Sequence, residues 1–276
     1  MIMLKDKALV ALFGLITVMP LAPQASTTDI PTLVEHDIIL LGERHDHPDH
    51  HENQAKWLDR IASAGKTSVV MEMVSMQQLA QLGDKPQSSN AWKEALNWDE
   101  QGWPDFDLYR PIFDVVTKHN LTILAGTMSI RPGTALGKRL EVMQQLAGQP
   151  PQIPDQIKTQ LAEDVRVGHC NLLPEEMIAP MVEIQWFKDA FMAKQLTDSL
   201  ANATRAVLIA GNGHTQGDTG VPIHLRDAKL SVLAIVQQEG DQQGYGGEDD
   251  TIIITREIPM DDPCKSLQER FGKKQN

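Results

Sequence analysis

Short apolar runs alternate with stretches of helical periodicity along most of the chain. Residues 48–64 place Trp57 and Ile61 on one helical face, with Pro48 suited to the first turn and Gly65 to the C-cap. An apolar run lies on each side of this helix, and the strand–helix–strand unit is typical of a right-handed crossover between parallel strands. The runs that predict strands are residues 37–41, 67–73, 121–125, 206–210, 230–236 and 251–255.

Two long helical stretches separate the later strands. Residues 76–118 hold a Trp-rich polar segment and then a helix that starts near Asp105, whereas residues 132–201 are helical with breaks at prolines and near Asn171. Strands that are apolar throughout and alternate with helices predict an α/β fold, with a mostly parallel central sheet and helices on both faces. We expect one domain over residues 26–276, with the two helical stretches forming a lid over the C-terminal edge of the strands.

The first residues have the pattern of a secretory signal. Lys5 and Lys7 precede the apolar run 8–21, which is shorter than the ~20 residues that a membrane span needs. We therefore expect cleavage after a signal peptide of residues 1–25. No cysteine follows the run, so the sequence offers no lipid-attachment site. The mature chain is expected to be soluble and periplasmic or secreted.

Composition and charge narrow the classes of partner. The chain has 276 residues and is 41% hydrophobic, which excludes a disordered protein. Lys and Arg number 25 against 37 Asp and Glu, and the net charge of −12 makes nucleic acid an unfavourable partner. In an oxidising compartment Cys170 and Cys264 could pair, or they could remain two separate thiols. The sequence leaves both alternatives open.

The same four-residue pattern follows two of the predicted strands. Gly42–His45 comes directly after the first strand and Gly211–His214 directly after the fourth, each in the form Gly-x-x-His. The glycines permit a tight turn, and ligands of parallel sheets bind beyond the carboxyl ends of the strands. We therefore expect His45 and His214 to meet at one cavity. A purely structural role as hydrogen-bonded turn residues is the alternative.

Two glutamates belong to the same predicted cavity. Glu72 lies inside the second apolar run, where a carboxylate is costly unless it is paired or hydrogen-bonded. Glu43 precedes His45 by two residues. With the two histidines, these carboxylates could hold a divalent metal such as Mn or Zn, or a histidine could act as general base on water. A hydrolase is therefore one candidate function, with Glu72 as a structural acceptor the plainer alternative.

Polar side chains also appear on a later helix. Gln185, Asp189 and Met192 fall on one stripe of the predicted helix over residues 180–200. We expect Gln185 and Asp189 to hydrogen-bond the histidines of the cavity, unless the stripe is a methionine-lined core with a polar edge. The histidines at the start of the first helix are predicted to be solvated; they are His47, His50 and His51.

Beyond these patterns, the sequence resembles the ChaN-like family of haem-binding, iron-regulated bacterial proteins. The resemblance spans residues 33–236 and is carried by IILLGERHDHPDHHENQ with VVMEM, by Trp98, Phe106 and Tyr109, by Arg131-Pro132, and by QWFKDAFMA, LIAGNGHT and Gly220-Val221-Pro222. The family is similar to a wider clan that includes Tiki proteases and erythromycin esterases. That clan shares two Gly-x-x-His motifs and a glutamate on a neighbouring strand.

The resemblance implies a haem-binding protein that serves iron uptake. In the family a dimer can hold two haems face to face, with tyrosine on the iron and His or Lys on the propionates. The resemblance thus implies haem as cofactor, a homodimer, and an outer-membrane haem receptor or transporter component as partner. Tyr109 is the expected iron ligand, since Tyr245 lies outside the motifs; the alternative is that Tyr109, beside a proline on an amphipathic helix, is a core residue. His169 or Met192 could bind the iron in its place, and Arg131 could bind a carboxylate bidentately or cap the turn after the third strand.

Overall fold

The computed structural model describes residues 29–240, 246–259, 264–265 and 268. The predicted signal peptide, residues 1–25, and Tyr245 lie outside the described residues. In the part of the chain that is described, no helix combines the length and the apolar content that crossing a membrane requires.

A parallel sheet forms the centre of the molecule. Its described strands are β1 (Ile38–Glu43), β2 (Thr67–Ser75), β3 (Thr122–Thr127), β4 (Arg205–Gly211), β5 (Val232–Glu239) and β6 (Thr251–Thr255). They lie side by side in the order β3-β2-β4-β1-β5-β6, and every neighbouring pair is parallel. The predicted α/β fold with a parallel sheet is confirmed.

Helices fill the connections between the strands. They are α1 (Pro48–Ala64), α2 (Met76–Gln81), α3 (Ser89–Ala95), α4 (Phe106–Lys118), α5 (Leu136–Leu146), α6 (Asp155–Gly168), α7 (Glu175–Ser199) and the single turn α8 (Asn212–Thr215), with 3₁₀ segments at Trp98–Glu100 and Val221–Leu225. Helix α1 begins at Pro48, as its sequence predicts, because proline lacks the N–H that a first turn leaves unbonded.

The two faces of the sheet are covered by different helices. Alternate residues of β1 point to opposite faces: Ile39 and Leu41 pack with α1 and α4, whereas Ile38 and Leu40 pack with α7. All four side chains are fully buried. Strands buried on both faces need apolar residues at every position, which explains the unbroken apolar runs in the sequence.

The start of α1 is buried, contrary to the prediction of solvated histidines. His47, His50 and His51 are each at most 1% exposed, because the end of β6 covers this turn. His50 Nε2 lies 3.0 Å from Thr255 Oγ1, and His47 Nε2 lies 3.0 Å from the carbonyl oxygen of Arg256. Burial, with the nearby charge of His47, lowers the pKa of His50 to about 3. His47 and His50 therefore attach the end of β6 to α1, whereas His51 packs against Tyr109 and lies 3.4 Å from Glu43 Oε2.

A disulfide joins Cys170 to Cys264, with 5.6 Å between their Cα atoms. Of the two alternatives that the sequence leaves open, pairing is the one observed. Cys170 and Asn171 have φ angles of 55° and 56°, and they make the reversal between α6 and α7. The disulfide thus attaches a C-terminal residue to the turn between these helices.

Candidate functional site

Three adjacent strands bring the predicted cavity residues to one edge. β4 lies between β2 and β1, and Glu43 at the end of β1 is paired in register with Gly211 at the end of β4. From β1 the chain continues toward β2 on one side, and from β4 it continues to β5 on the other. Loops that leave in opposite directions open a crevice at such a position, which is where parallel sheets bind ligands.

The first histidine is held by a carboxylate and a phenol. His45 Nδ1 lies 2.7 Å from Glu43 Oε1, and the Tyr109 hydroxyl donates to the same oxygen at 2.6 Å. Burial would raise the pKa of Glu43, but the positive charge of His51 and the bond from His45 outweigh it and hold the pKa well below its usual range. An ionised Glu43 therefore accepts both hydrogen bonds.

The second histidine lies between two acidic side chains. His214 Nδ1 is 2.5 Å from Asp189 Oδ1 on α7, and His214 Nε2 is 3.1 Å from Glu72 Oε1 on β2. The Lys188 ammonium lies 3.1 Å from each of Glu72 Oε1 and His214 Nε2. The other oxygen of Glu72 accepts the backbone N–H of Gly211 at 3.0 Å. Two basic and two acidic side chains thus form one compact group.

The charges in this group determine its protonation. Burial by itself lowers the pKa of His214, but the negative charges of Glu72 and Asp189 outweigh it and raise the pKa to about 9. Burial would raise the pKa of Glu72, but His214 and Lys188 keep it well below its usual range. At neutral pH the stable state is therefore a protonated His214 beside an ionised Glu72.

Gly42 and an asparagine set the spacing of the strand ends. A Cβ atom on Gly42 would lie 2.4 Å from Asn212 Oδ1 and 2.5 Å from Thr215 Oγ1, so no larger residue fits without displacing α8. The Asn212 amide bonds both the N–H and the carbonyl of Gln237. Pairing with β6 carries β5 to Glu239, beyond the predicted end at Val236. The Gly-x-x-His turn is therefore a packed element of the sheet edge.

Two neighbouring cavities open near these residues. The first, which we call the crest pocket, measures about 410 Å³ and is lined by charged and amide side chains that include Glu43, His45, Glu72 and His214. The second, the α6–α7 pocket, measures about 470 Å³. It is lined by Leu161, Val165, Val167, Gly168 and His169 and by the polar side chains of Asp164, Gln185 and Gln216. Gln185 and Gly213 line both pockets, so the pockets adjoin at the predicted edge of the sheet.

The structure brings together most of the residues predicted for the cavity. His45, His214, Glu43 and Glu72 all lie at the crest pocket, with Gly211 between them. Asp189 bonds His214, and Gln185 Nε2 lies 3.0 Å from His214 Nδ1, as their helical stripe predicts. The observed convergence explains why two distant Gly-x-x-His turns share one pattern.

The residues predicted to bind haem do not lie together. Tyr109 is fully buried and bonded to Glu43, and the carboxylate charge with burial raises the pKa of its phenol far above its usual value. Met192 is fully buried under the sheet among Ile38 and Leu40. Arg131 is exposed in the loop after β3. Of the predicted set, His169 lines the α6–α7 pocket.

No sequence pattern distinguishes Lys188, whose ammonium lies 3.1 Å from both Glu72 and His214 at the crest pocket. It follows Gln185 by three residues, so helical spacing alone places it one turn further along the same side of α7. An isolated lysine in a charged chain carries no distinctive pattern. Its importance comes from Glu72, since a buried carboxylate inside a strand needs a cation from some neighbouring element.

The arrangement does not favour a metal ion at the crest. Within the described ranges, no group of three His, Cys, Asp or Glu side chains is placed to hold a metal. The Lys188 ammonium already lies against Glu72 and His214, the two residues that a metal would have to share. The metal-dependent hydrolase alternative therefore gains no support from this geometry.

Comparisons with known proteins agree with the fold. The model of a family described as "Haem-binding uptake, Tiki superfamily, ChaN" matches residues 30–225. Among solved structures, ChaN of Campylobacter jejuni, described as showing cofacial heme binding, is 24% identical, with 80% of this chain and 88% of that chain covered and a TM-score of 0.61. At this identity the likeness shows a shared fold. No curated protein matches the chain.

Two further solved structures show weaker likeness. The type III effector HopBA1 is 13% identical over 80% of this chain and 88% of its own, with a TM-score of 0.41. A Bacillus cereus protein is 12% identical over 84% of this chain and 73% of its own, with a TM-score of 0.42. These two likenesses are too weak to indicate anything about the site.

Proposed function

Because the chain belongs to the ChaN family of haem-binding uptake proteins in the Tiki superfamily, we propose that it binds haem and serves in haem or iron uptake. The observation that supports this most directly is the α6–α7 pocket, in which Leu161, Val165 and Val167 form an apolar wall next to the crest pocket. Its volume of about 470 Å³ falls in the range of ~300–1,000 Å³ that is usual for cofactor pockets.

The pocket fits the chemistry of a haem. Leu161, Val165 and Val167 provide apolar walls for the macrocycle, and His169 provides a nitrogen base of the kind that binds haem iron. A bound haem would bring an iron centre with redox and ligand-binding chemistry. The residues of this chain would bind it, orient it and limit its contact with water.

We extend the proposal to export of the protein. A disulfide between Cys170 and Cys264 suits an oxidising compartment, and the N-terminal residues have the pattern of a cleaved signal. A periplasmic or secreted haem carrier would exchange its ligand with an outer-membrane receptor or another transporter component. Fractionation of cells that produce the full chain tests this: intact disulfide-bonded protein of reduced mass is expected outside the cytoplasm.

A haem-linked dimer is the second extension. Val167 at the rim of the pocket is 61% exposed, so a haem seated there would keep part of its surface in water. A second copy of the chain, with its own haem, would cover that surface, in line with the cofacial binding described for the Campylobacter relative. Light scattering of the purified protein is expected to show a rise in mass on addition of hemin.

A hemin titration tests the central proposal. The mature protein is expected to give a shifted and saturable Soret band. Serum proteins bind hemin themselves, so the sample must contain none. Tyr109→Phe is a useful companion, because its oxygen is buried and bonded to Glu43. It should bind hemin with an unchanged spectrum. If the wild type gives no saturable shift, the proposed function is wrong.

A further inference from the structure

We propose that His169 binds the haem iron directly, through Nε2, within the α6–α7 pocket. This inference rests on the proposed haem-binding function and specifies the ligand that the function uses. Three separate observations support it: the tautomer of the imidazole, the character of the surrounding walls, and the way in which the turn around His169 is held.

The tautomer of His169 follows from one hydrogen bond. Nδ1 lies 2.8 Å from the carbonyl oxygen of Val165, four residues earlier. A carbonyl oxygen only accepts, so Nδ1 must carry the proton and donate it. In the neutral ring Nε2 then has a free lone pair, and no residue of the described ranges bonds it. A histidine fixed by an Nδ1–H bond to a backbone carbonyl is the usual arrangement of a metal-bound imidazole.

The walls beside His169 suit a porphyrin. Leu161 and Val165 precede it on α6 by eight and four residues, so they lie on the same side of the helix. Val167 extends the apolar surface to the rim, where it is 61% exposed. A flat apolar ligand in the pocket would cover this exposed valine. Asp164, Gln185 and Gln216 provide the polar part of the pocket.

The turn that carries His169 is rigidly held. His169 is the C-cap of α6, and its backbone N–H bonds the carbonyls of Val165 and Arg166, each at 3.2 Å. The next residue, Cys170, is covalently attached to Cys264. An imidazole that is positioned before the ligand arrives loses little conformational entropy on binding, which favours affinity.

The other pocket histidines are less suitable as ligands. His45 lies 2.7 Å from Glu43 and 3.6 Å from Glu72. Although burial lowers its pKa, these carboxylates raise it overall, which disfavours the deprotonated nitrogen that a metal ligand needs. The walls around His45 are charged, which disfavours a macrocycle. His224 lies in a different cavity against Trp186, and its Nε2 is fully covered.

The test compares hemin binding by His169→Ala, His45→Ala and the surface variant His119→Ala. His119 bonds Asp59 on the outside of the molecule, so its replacement controls for the loss of any histidine. His169→Ala is expected to lose at least about tenfold in affinity and to shift the Soret band, since changes around a metal ligand cost about 10–100-fold. Added imidazole should restore the wild-type spectrum in His169→Ala, which a merely structural role would not explain.

The outcomes separate this inference from the proposed function. Binding by the wild type with an unchanged affinity and Soret band in His169→Ala would overturn the ligand assignment and leave haem binding intact. A shift in His45→Ala instead would place the iron at the crest pocket. Should His169→Ala not fold, electron paramagnetic resonance of the wild-type complex decides, because nitrogen hyperfine coupling from an axial imidazole is expected and an axial phenolate would contradict it.

Discussion

The crest pocket and the α6–α7 pocket adjoin at Gln185 and Gly213, yet they are built in opposite ways. At the crest the acidic and basic side chains are paired with one another, as in the contacts of Glu72 with His214 and Lys188, both at 3.1 Å. In the α6–α7 pocket the walls are largely apolar, and His169 keeps a nitrogen that bonds no described residue.

This difference indicates two roles for polar and charged side chains, one in stabilising the fold and one in binding a ligand. A buried charge group whose members are mutually bonded fixes the ends of three strands and has little left to offer a ligand. A ligand site needs groups that are incompletely bonded and surface that is incompletely covered. Under the proposed function, the residues of the crest pocket stabilise the fold and the α6–α7 pocket binds the ligand.

The strongest way to test this comparison is to neutralise Glu72. Glu72→Gln keeps the shape of the side chain but leaves Lys188 and His214 without their shared counter-ion. Removing one member of a buried ion pair costs about 3–5 kcal/mol. We expect a loss of this size in the free energy of unfolding, measured by urea denaturation, while hemin affinity of the folded fraction stays within about threefold.

Glu141→Gln is the matched control for this change. Its carboxylate pairs with Lys138 one helical turn away, and both side chains are 63% exposed. Exposed pairs contribute about 0–1 kcal/mol, so the stability of this variant should hardly change. If Glu72→Gln stayed fully stable but lost hemin, the crest would be the ligand site and the comparison would be reversed.

Removal of the disulfide should act on the other region. Cys170→Ser combined with Cys264→Ser opens a link between residues 94 positions apart, and such links contribute about 2–4 kcal/mol. Because Cys170 follows His169 directly, we also expect weaker hemin binding. Hydrogen exchange should show faster opening of α6 and of the α6–α7 turn, with little change at β1, β2 and β4.

Reduction of the wild-type protein provides the matching control. Dithiothreitol should lower the stability of the wild type by the same amount and leave the double serine variant unaffected. Equal acceleration of exchange at the crest and at α6 would show that the two regions unfold as one unit. The distinction between a crest that stabilises the fold and a separate pocket that binds the ligand would then fail.

Much of the fold and part of the site can be predicted from the sequence, because they follow from hydrophobic periodicity and from the topology of a parallel sheet. Periodicity reports which face of an element is buried, so the parallel sheet, helix α1 and helix α4 follow from the apolar patterns. The carboxyl ends of parallel strands meet at one edge, so the joint position of His45 and His214 follows from topology. These inferences need no knowledge of side-chain packing.

What the sequence could not predict depends on contacts between distant elements. Burial of His50 depends on β6 folding over α1, and the role of Lys188 depends on α7 packing against β2. The free Nε2 of His169 depends on one backbone carbonyl of the preceding turn. Tyr109, the ligand that the resemblance favours, is fully buried, in line with the alternative of a core residue on an amphipathic helix.

The last prediction is a pH dependence that originates in His214 at the crest pocket. The pKa of His214 is raised from 6.5 to about 9 by Glu72 and Asp189, in spite of its burial and of the nearby Lys188. A raised pKa means that the native state binds a proton that the unfolded state has released. Its contribution is fully present below pH 6.5 and is lost as pH rises through about 9.

Between these pH values the free energy of unfolding should fall by up to about 1.4 kcal/mol per pH unit, the value for one proton. The upward shift of His45 adds to the same slope. Below pH 6.5 stability should fall as well, because burial lowers the pKa of His50 to about 3 and of His224 to about 4, and the unfolded chain then binds more protons.

Urea denaturation at a series of pH values would locate the maximum, expected near 6.5. His214→Gln should flatten the alkaline side and preserve the acid side. An unchanged alkaline slope in this variant would show that the group of Glu72, His214 and Lys188 is not charged as the geometry indicates, and the contrast with the α6–α7 pocket would lose its electrostatic basis.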